Sequence, residues 1–429
     1  MAFVCWLMLL LSHQVLGVIN DGTAIVAMLV LVAYTAVVES KFGLNLTVIM
    51  VFSAIVQLIA APYWGIRQDL PFSLVEKTNS ADYFTLAFGG VYAFAIGSLW
   101  PRRVHQNGGV LLGEAISKWD IKALKKAFLS SILIWMLVPL FGSIPVIGAV
   151  FEYLSKALYV FALLFFLRKE WRWMLFAVFI IALNAISSSF FFEPGIFFLM
   201  FLLLTIYLRR VKWHWALLIL LSVNSIVPVI QQAKSTFRLQ AFTGVELSFM
   251  EKASMFVESY SQIEDELDGQ ALSSELIVRL NQGFYDSHVY AGGLGRENTI
   301  VPSFFSVFVP RFLWKDKPGF DSRKLKEYGG YDRMGSSFIS ISQVCESYLS
   351  WGKWGGIAFL FFYGIALNYI LFRCATAGGM YVICLPILFL HVLRVEVDFV
   401  HVFSSLVHGG IAYWILTKRW NFSEGRAAT

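Results

Sequence analysis

The sequence predicts an all-α polytopic membrane protein with about 12 transmembrane helices and one large, partly helical loop on the non-cytoplasmic side. Hydrophobic residues make up 58% of the 429-residue chain and charged residues only 14%, whereas a soluble domain carries roughly 25% charged residues. Apolar runs of membrane-spanning length recur from end to end. The basic residues gather in alternate connections between those runs, which is typical of a multi-pass protein.

The membrane-spanning helices follow from the apolar runs and the breakers between them. The first run has neither a basic region before it nor a small-residue cleavage site, so we predict a span there and not a signal peptide. The predicted spans are 3–17, 22–38, 44–61, 81–100, 127–144, 154–167, 173–191, 195–208, 214–231, 355–372, 379–393 and 399–417. The chain is thereby divided into helices 1 to 9 (1–231), the large loop (232–354), helices 10 to 12 (355–417) and a tail (418–429).

The basic residues set the orientation of these spans, because Lys and Arg collect in cytoplasmic loops. With the N-terminus inside, the cytoplasmic connections hold 17 Lys and Arg residues, whereas the short outer connections hold only Arg67, Lys77 and Arg394. Both termini are therefore predicted to be cytoplasmic. The same distribution accounts for the net charge of +6 without a nucleic-acid partner.

The large loop, 232–354, is predicted to lie outside although it contains thirteen Lys and Arg residues. Long translocated segments escape the charge rule, so these residues do not contradict the topology. Residues 253–280 read as a helix with apolar and acidic positions. Residues 301–314 are apolar, aromatic and interrupted by proline, which favours an interfacial or re-entrant element.

Several classes of site are not indicated by the sequence. The four cysteines show no CxxC spacing, so neither a disulfide framework nor a zinc site is predicted. His401 and His408 share a helix face, but no third ligand stands at helical spacing, and polar packing is favoured over a metal. A P-loop, HExxH and GxSxG are absent. We therefore predict no cofactor and no metal.

Cationic residues gather in the loop segment PRFLWKDKP, where Pro310 and Pro318 stiffen the backbone at both ends. Between them stand Arg311, Lys315 and Lys317. A guanidinium matches phosphate oxygens bidentately and a lysine adds a point charge, so this segment could hold a lipid-linked pyrophosphate. The alternative is that these cations only reach toward lipid headgroups from an aromatic belt.

Glu346 stands near the end of the loop, amid Tyr348, Trp351 and Trp354. A carboxylate in a partly desolvated aromatic site can serve as a general acid or base. The alternative is a glutamate that is solvated or paired with an arginine. Arg279, on the apolar-periodic helix, is open to the same two interpretations, a functional cation or a surface charge.

A second group of ionisable residues lies around the last two spans. Ionisable residues within or beside spans are costly and usually face a polar cavity, so on physical grounds this group outranks the loop charges. Its members are Arg67, Arg394, Glu396, Asp398, His401 and His408.

At these residues the chain resembles the bacterial O-antigen and exopolysaccharide repeat-unit polymerases, the Wzy family. In that family a large periplasmic loop carries an Arg, then a segment of the form PR-x-x-W-x-x-KP, then a stretch with Glu, Tyr and two glycines that leads into the next span. The matching residues here are Arg279, then Pro310, Arg311, Trp314, Lys317 and Pro318, then Glu346, Tyr348, Gly352 and Gly355. The resemblance covers residues 279–364; the rest agrees only in topology.

The resemblance implies a glycosyltransferase of the bacterial inner membrane that acts in lipopolysaccharide synthesis. It would move a glycan from undecaprenyl pyrophosphate onto a lipid-linked repeat unit at the periplasmic face, with membrane lipid and a chain-length regulator as further partners. Arg279, Arg311 and Lys317 would hold the donor pyrophosphate, and Glu346 would act as base or orient an arginine. The remaining substrate-binding residues would be Arg67, Arg394, Trp314, Arg296 and His288.

Three other functions stay open at this point. An O-antigen ligase has a similar topology and usually places a histidine with its loop arginines; His288 is the sole loop histidine here. A flippase would move the lipid-linked unit without chemistry, but flippases commonly lack so long a translocated loop. A scaffold in an envelope assembly complex would need none of the loop cations.

Overall fold

The computed structural model of the protein describes residues 46–63, 80–99, 120–141, 146–188, 250–252, 254–255, 298–309, 313–315, 341–376 and 388–419, and the single residues 144, 198, 205 and 286. The secondary structure in these ranges is helical throughout. The helices are α1 (Leu46–Ile55), α2 (Ser80–Ser98), α3 (Ile121–Phe141), α4 (Ile147–Ser155), α5 (Ala157–Leu167), α6 (Trp171–Ser188), α7 (Ile300–Ser306), α8 (Gln343–Thr376), α9 (Leu390–Leu393), α10 (Phe399–Ser404) and α11 (Gly410–Arg419). Two π-helical turns, Val56–Ala60 and Ser405–Gly409, continue α1 and join α10 to α11.

Four helical stretches in the described ranges are long and apolar enough to cross a membrane: Ile121–Phe141, Ile147–Leu167, Gln343–Arg373 and Phe399–Leu416. Shorter apolar helices run over Met50–Tyr63, Leu86–Ser98 and Trp171–Ala185. The predicted class, a helical membrane protein, is confirmed at this level. The total of about 12 spans, the large loop and the orientation stay predictions.

Not every predicted element falls on described residues. The predicted spans 3–17, 22–38 and 214–231 lie outside them, as do nearly all of 195–208 and the first part of 379–393. The helix predicted over 253–280 lies outside them as well, apart from its first residues.

The predicted span 154–167 begins later than the helical stretch that the structure shows there. The apolar pattern predicts 154–167, but α4 begins at Ile147, directly after Val146 with its positive φ of 67°. Lys156 keeps helical backbone angles between α4 and α5 (φ −63°, ψ −14°), so the two form one stretch over Ile147–Leu167. A glutamate and a lysine within the run concealed this continuity from a reading of apolar residues alone.

Helices α2 and α8 cross with their backbones in close contact, because glycines remove side chains from the crossing. A Cβ built on Gly97 would lie 2.1 Å from the backbone oxygen of Phe361, and one built on Gly364 would lie 2.7 Å from that of Phe94. Small residues at helix crossings allow this approach in membrane proteins. The crossing fixes the position of α8, which carries Glu346.

Helix α8 is bent at Gly352, whose φ of 69° and ψ of −176° are not helical. The bend separates a first segment, residues 343–351, from the long apolar segment that follows. The predicted boundary between loop and span, residue 354, falls just after this bend. The end of the predicted loop is therefore helical, and Glu346 lies on its helical part.

Helix α7 has its polar face inward and its aromatic face outward. Ser303 and Ser306 are buried, whereas Phe304, Phe305 and, just after the helix, Phe308 are exposed. An exposed aromatic face on a short helix is suited to the apolar side of a membrane interface. The helix lies within the segment where an interfacial or re-entrant element is predicted, 301–314, and its insertion at a membrane interface stays a prediction.

Candidate functional site

Glu346 joins three segments of the chain in the buried interior. Its Oε2 accepts a hydrogen bond from the backbone N–H of Phe399 at 2.7 Å, and its Oε1 accepts one from the Thr299 hydroxyl at 2.9 Å. The backbone N–H of Thr299 in turn donates to the hydroxyl of Ser350 at 3.2 Å. Helix α8 is thereby connected to the start of α7 and to the start of α10.

The surroundings of Glu346 favour a positioning role. Its side chain is 0% exposed, and both carboxylate oxygens accept hydrogen bonds. A carboxylate at the first N–H groups of a helix also complements the positive end of the helix dipole. Catalysis by Glu346 stays a prediction, but a buried carboxylate whose oxygens are both engaged is poorly placed to collect a substrate proton.

Arg394 and Glu396 form a partly buried ion pair just before α10. The Nε of Arg394 lies 2.7 Å from Oε1 of Glu396, and Gln57 on the π-helical turn after α1 donates from Nε2 to Oε2 of Glu396 at 3.3 Å. A carboxylate that holds Nε fixes the plane of the guanidinium. Gln343 anchors the backbone here, since its Nε2 donates to the oxygen of Arg394 at 2.8 Å and its N–H to that of Val395 at 3.1 Å.

Asp398 and His401 form a dyad at the start of α10. Oδ1 of Asp398 caps the helix by accepting the backbone N–H of His401 at 3.1 Å, and it also lies 2.7 Å from Nδ1 of the same residue. Asp398 is buried, whereas the side chain of His401 is 27% exposed. The ring of His391 lies 5.6 Å from that of His401, centroid to centroid.

Lys156 is a buried cation inside a membrane-length helical stretch. Its side chain is 4% exposed, its Nζ lies 3.7 Å from Oε1 of Glu152, and it stands 5.0 Å from the centre of the Tyr153 ring. The Tyr153 ring in turn lies 6.3 Å from that of His391. Lys156 is therefore connected through the Tyr153 ring to His391, which lies beside His401 of the dyad.

Sequence reasoning missed Lys156, although it is the one residue among the 34 Lys and Arg that the predicted topology leaves inside a span. Its isolation in an apolar run was the available signal, because ionisable residues within membrane helices are costly and usually functional.

Asp286, from the predicted loop, lies at the start of α8. It is 1% exposed, and its carboxylate accepts hydrogen bonds from the backbone N–H of Ser342, at 3.0 Å, and from the Ser342 hydroxyl. The same hydroxyl accepts the N–H of Cys345 at 3.1 Å. The residues involved are far apart in sequence, so no local pattern could have predicted the contact.

The structure describes three of the predicted site residues. Glu346 and Arg394 lie near each other. Gln343, one turn before Glu346, donates a hydrogen bond to the backbone oxygen of Arg394, and Glu346 itself accepts the N–H of Phe399, which follows shortly after Arg394 in the chain. Trp314 is half-buried in a turn, and no contact joins it to this group in the described residues. The others lie outside the described residues: Arg67, Arg279, His288, Arg296, Arg311 and Lys317.

The described residues contain no grouping of three or more His, Cys, Asp or Glu side chains suited to a metal ion. His401 and His408 have separate partners, since Nδ1 of His408 lies 3.0 Å from the hydroxyl of Ser404. We name Glu346, Arg394, Glu396, Asp398 and His401 the α10 polar cluster.

Comparisons of the chain with protein-family models, with curated proteins and with solved structures gave no match.

Proposed function

We propose that the protein is a polysaccharide polymerase, a glycosyltransferase that acts on lipid-linked oligosaccharides at the periplasmic face of the bacterial inner membrane. It would transfer a glycan from undecaprenyl pyrophosphate onto a lipid-linked repeat unit. One observation carries the proposal: Glu346 of the polymerase-like motif accepts the backbone N–H of Phe399 at the start of a membrane-length apolar helix, where the other residues of the α10 polar cluster also stand.

This juxtaposition suits a substrate with a charged head and a long apolar tail. The exposed ring of Phe304 lies 5.3 Å from that of Phe403 on α10, so an apolar surface is continuous with the helix that begins at the cluster. A polyprenyl chain would lie along such a surface, and its pyrophosphate would reach Arg394, just before the helix.

The cations would act electrostatically, by binding the pyrophosphate and stabilising it as it leaves. Arg394 has a guanidinium held in one plane by Glu396, which favours bidentate binding of phosphate oxygens. Arg279, Arg311 and Lys317 would complete the cradle, as the resemblance implies.

Gly352 gives a physical reason for a glycine of the motif. Its φ of 69° and ψ of −176° are open essentially only to glycine and cost another residue about 1–3 kcal/mol, and the bend there separates the buried segment of Glu346 from the span that follows. A motif glycine at this position is therefore accounted for by the backbone.

Deletion of the gene tests the proposal through the length of surface glycan. Loss of a polymerase leaves single repeat units attached to lipid A core, and the intact gene restores the ladder of longer chains. Loss of a ligase would leave no attached glycan, and a ladder unchanged by the deletion would also reject the proposal. A flippase is distinguished by purified protein in vesicles, since only a polymerase lengthens the lipid-linked unit without another enzyme.

A further inference from the structure

We propose that His401, oriented by Asp398, is the general base that takes the proton from the acceptor hydroxyl. The inference rests on the proposed polymerase function and adds to it the group that activates the acceptor sugar. The role of general base is thereby assigned to a histidine on α10 instead of Glu346 of the motif.

The geometry of the dyad is that of an oriented imidazole. With Nδ1 of His401 donating to Oδ1 of Asp398 across 2.7 Å, the tautomer is fixed and Nε2 carries the lone pair that can accept a proton. A carboxylate in this position also stabilises the imidazolium that forms. Asp398 is thus a positioning residue, and His401 is the catalytic one.

The dyad stands on a well-supported part of the fold. Asp398 caps α10 through the N–H of His401, and Glu346 accepts the N–H of Phe399, the residue directly after Asp398. The Phe399 ring packs against those of Phe359 and Tyr363 at 5.3 and 5.2 Å. Buried support of this kind holds a reactive group in one geometry.

The other candidate bases of this region are less accessible. Glu346 is fully buried with both oxygens engaged. His408 is buried, and its Nδ1 pairs with Ser404. Glu396 shares its two oxygens between Arg394 and Gln57. His401 combines partial exposure with an orienting carboxylate.

The acceptor oxygen forms a bond to the anomeric carbon of the donor glycan while the bond from that carbon to the pyrophosphate oxygen breaks. Undecaprenyl pyrophosphate leaves with the electron pair of the broken bond. The hydroxyl proton passes to Nε2 of His401, and the imidazolium, paired with Asp398, later releases it to water.

The test uses the full-length protein in lipid vesicles and the lipid-linked repeat unit extracted from a strain that lacks the gene. His401→Asn keeps a donor at the Nδ1 position for Asp398 but has no Nε2. We expect kcat to fall about 10²–10⁴-fold, the usual contribution of a general base, with a smaller change in KM. His408→Asn, a matched change on the same helical stretch, keeps its bond to Ser404 and should retain the wild-type rate.

Imidazole rescue separates chemistry from folding. His401→Ala leaves space beside Asp398, so added imidazole should restore part of its rate, whereas it should not restore that of His401→Asn. A His401→Asn rate within threefold of wild type would overturn the inference, and so would folded His401→Ala protein that imidazole fails to rescue. If the wild-type protein does not lengthen the lipid-linked unit, the polymerase proposal fails instead.

Discussion

The carboxylate of Glu346 and the backbone N–H of Phe399 meet at 2.7 Å in the buried interior, which joins the polymerase-like motif to the first residue of the last membrane-length helix. The other oxygen of Glu346 accepts the Thr299 hydroxyl. One side chain therefore holds together the starts of α7 and α10 and the first turn of α8.

Glu346→Gln should lower the stability of the protein. One carboxylate oxygen becomes an NH₂ group that faces a donor, and hydrogen bonds to a charged group contribute about 1.5–3 kcal/mol each. We expect a lower melting temperature of the detergent-solubilised protein, and Thr299→Val, which removes one of the two bonds, should cost less. A Glu346→Gln protein as stable as wild type but without polymer would instead support catalysis by Glu346.

The membrane class could be predicted from the sequence, because composition is readable without coordinates. A local motif singled out Glu346, but its burial and its two hydrogen bonds depend on residues far away in sequence. The pairing of Asp398 with His401 could be predicted only in part. Asp398 and His401 were both singled out, and their spacing is that of a capping residue and the third residue after it, yet which carboxylate holds which cation depends on packing. Arg394 and Glu396 pair within the segment, whereas Gln57 reaches them from a distant helix.

Gly352→Ala should destabilise the protein because φ at this position is 69°. This φ combined with a ψ of −176° costs a residue with a Cβ about 1–3 kcal/mol, and relaxation toward a straight helix would displace Glu346 from Phe399. We expect a lower melting temperature together with shorter glycan chains in cells.

Gly410→Ala is the matched control for this change. A Cβ built on Gly410, in helix α11, meets nothing within 4 Å, and alanine is favoured over glycine in helices by about 1 kcal/mol. Its melting temperature should stay at or above that of wild type. Equal melting temperatures for Gly352→Ala and wild type would show that the bend does not require glycine.

Lys156→Met should leave the fold intact and reduce polymer formation. Methionine has a similar length to lysine, and the partner Glu152 is largely exposed, so the change leaves no buried charge unpaired, which is what makes the loss of one ion-pair partner costly. The positive charge beside Tyr153 and His391 would be lost. We expect an unchanged melting temperature with a shortened glycan ladder, both measured at matched protein level.

Lys122→Met removes a lysine of the same size from an exposed position on α3 and should leave both readouts unchanged. If Lys156→Met also preserves the ladder, the lysine has no part in polymerisation. If Lys156→Met abolishes folding, the charge of Lys156 is structural. Its ion pair with Glu152 then contributes more to stability than the exposure of Glu152 suggests.

Arg394→Lys should impair substrate binding although the charge is retained. The Nε of Arg394 is held 2.7 Å from Glu396, which leaves the guanidinium in a fixed plane for two parallel bonds to phosphate oxygens. A lysine offers one flexible ammonium group and loses that geometry. For the lipid-linked unit in vesicles we expect KM to rise, by about tenfold if one charge-assisted hydrogen bond of about 1.5 kcal/mol is lost. Arg373→Lys, whose arginine lies over the Tyr369 ring at 6.0 Å and is predicted to face the cytoplasm, is the matched control and should keep the wild-type KM. An Arg394→Lys protein with unchanged KM and kcat would exclude a phosphate-binding role for Arg394 and leave it as the structural partner of Glu396.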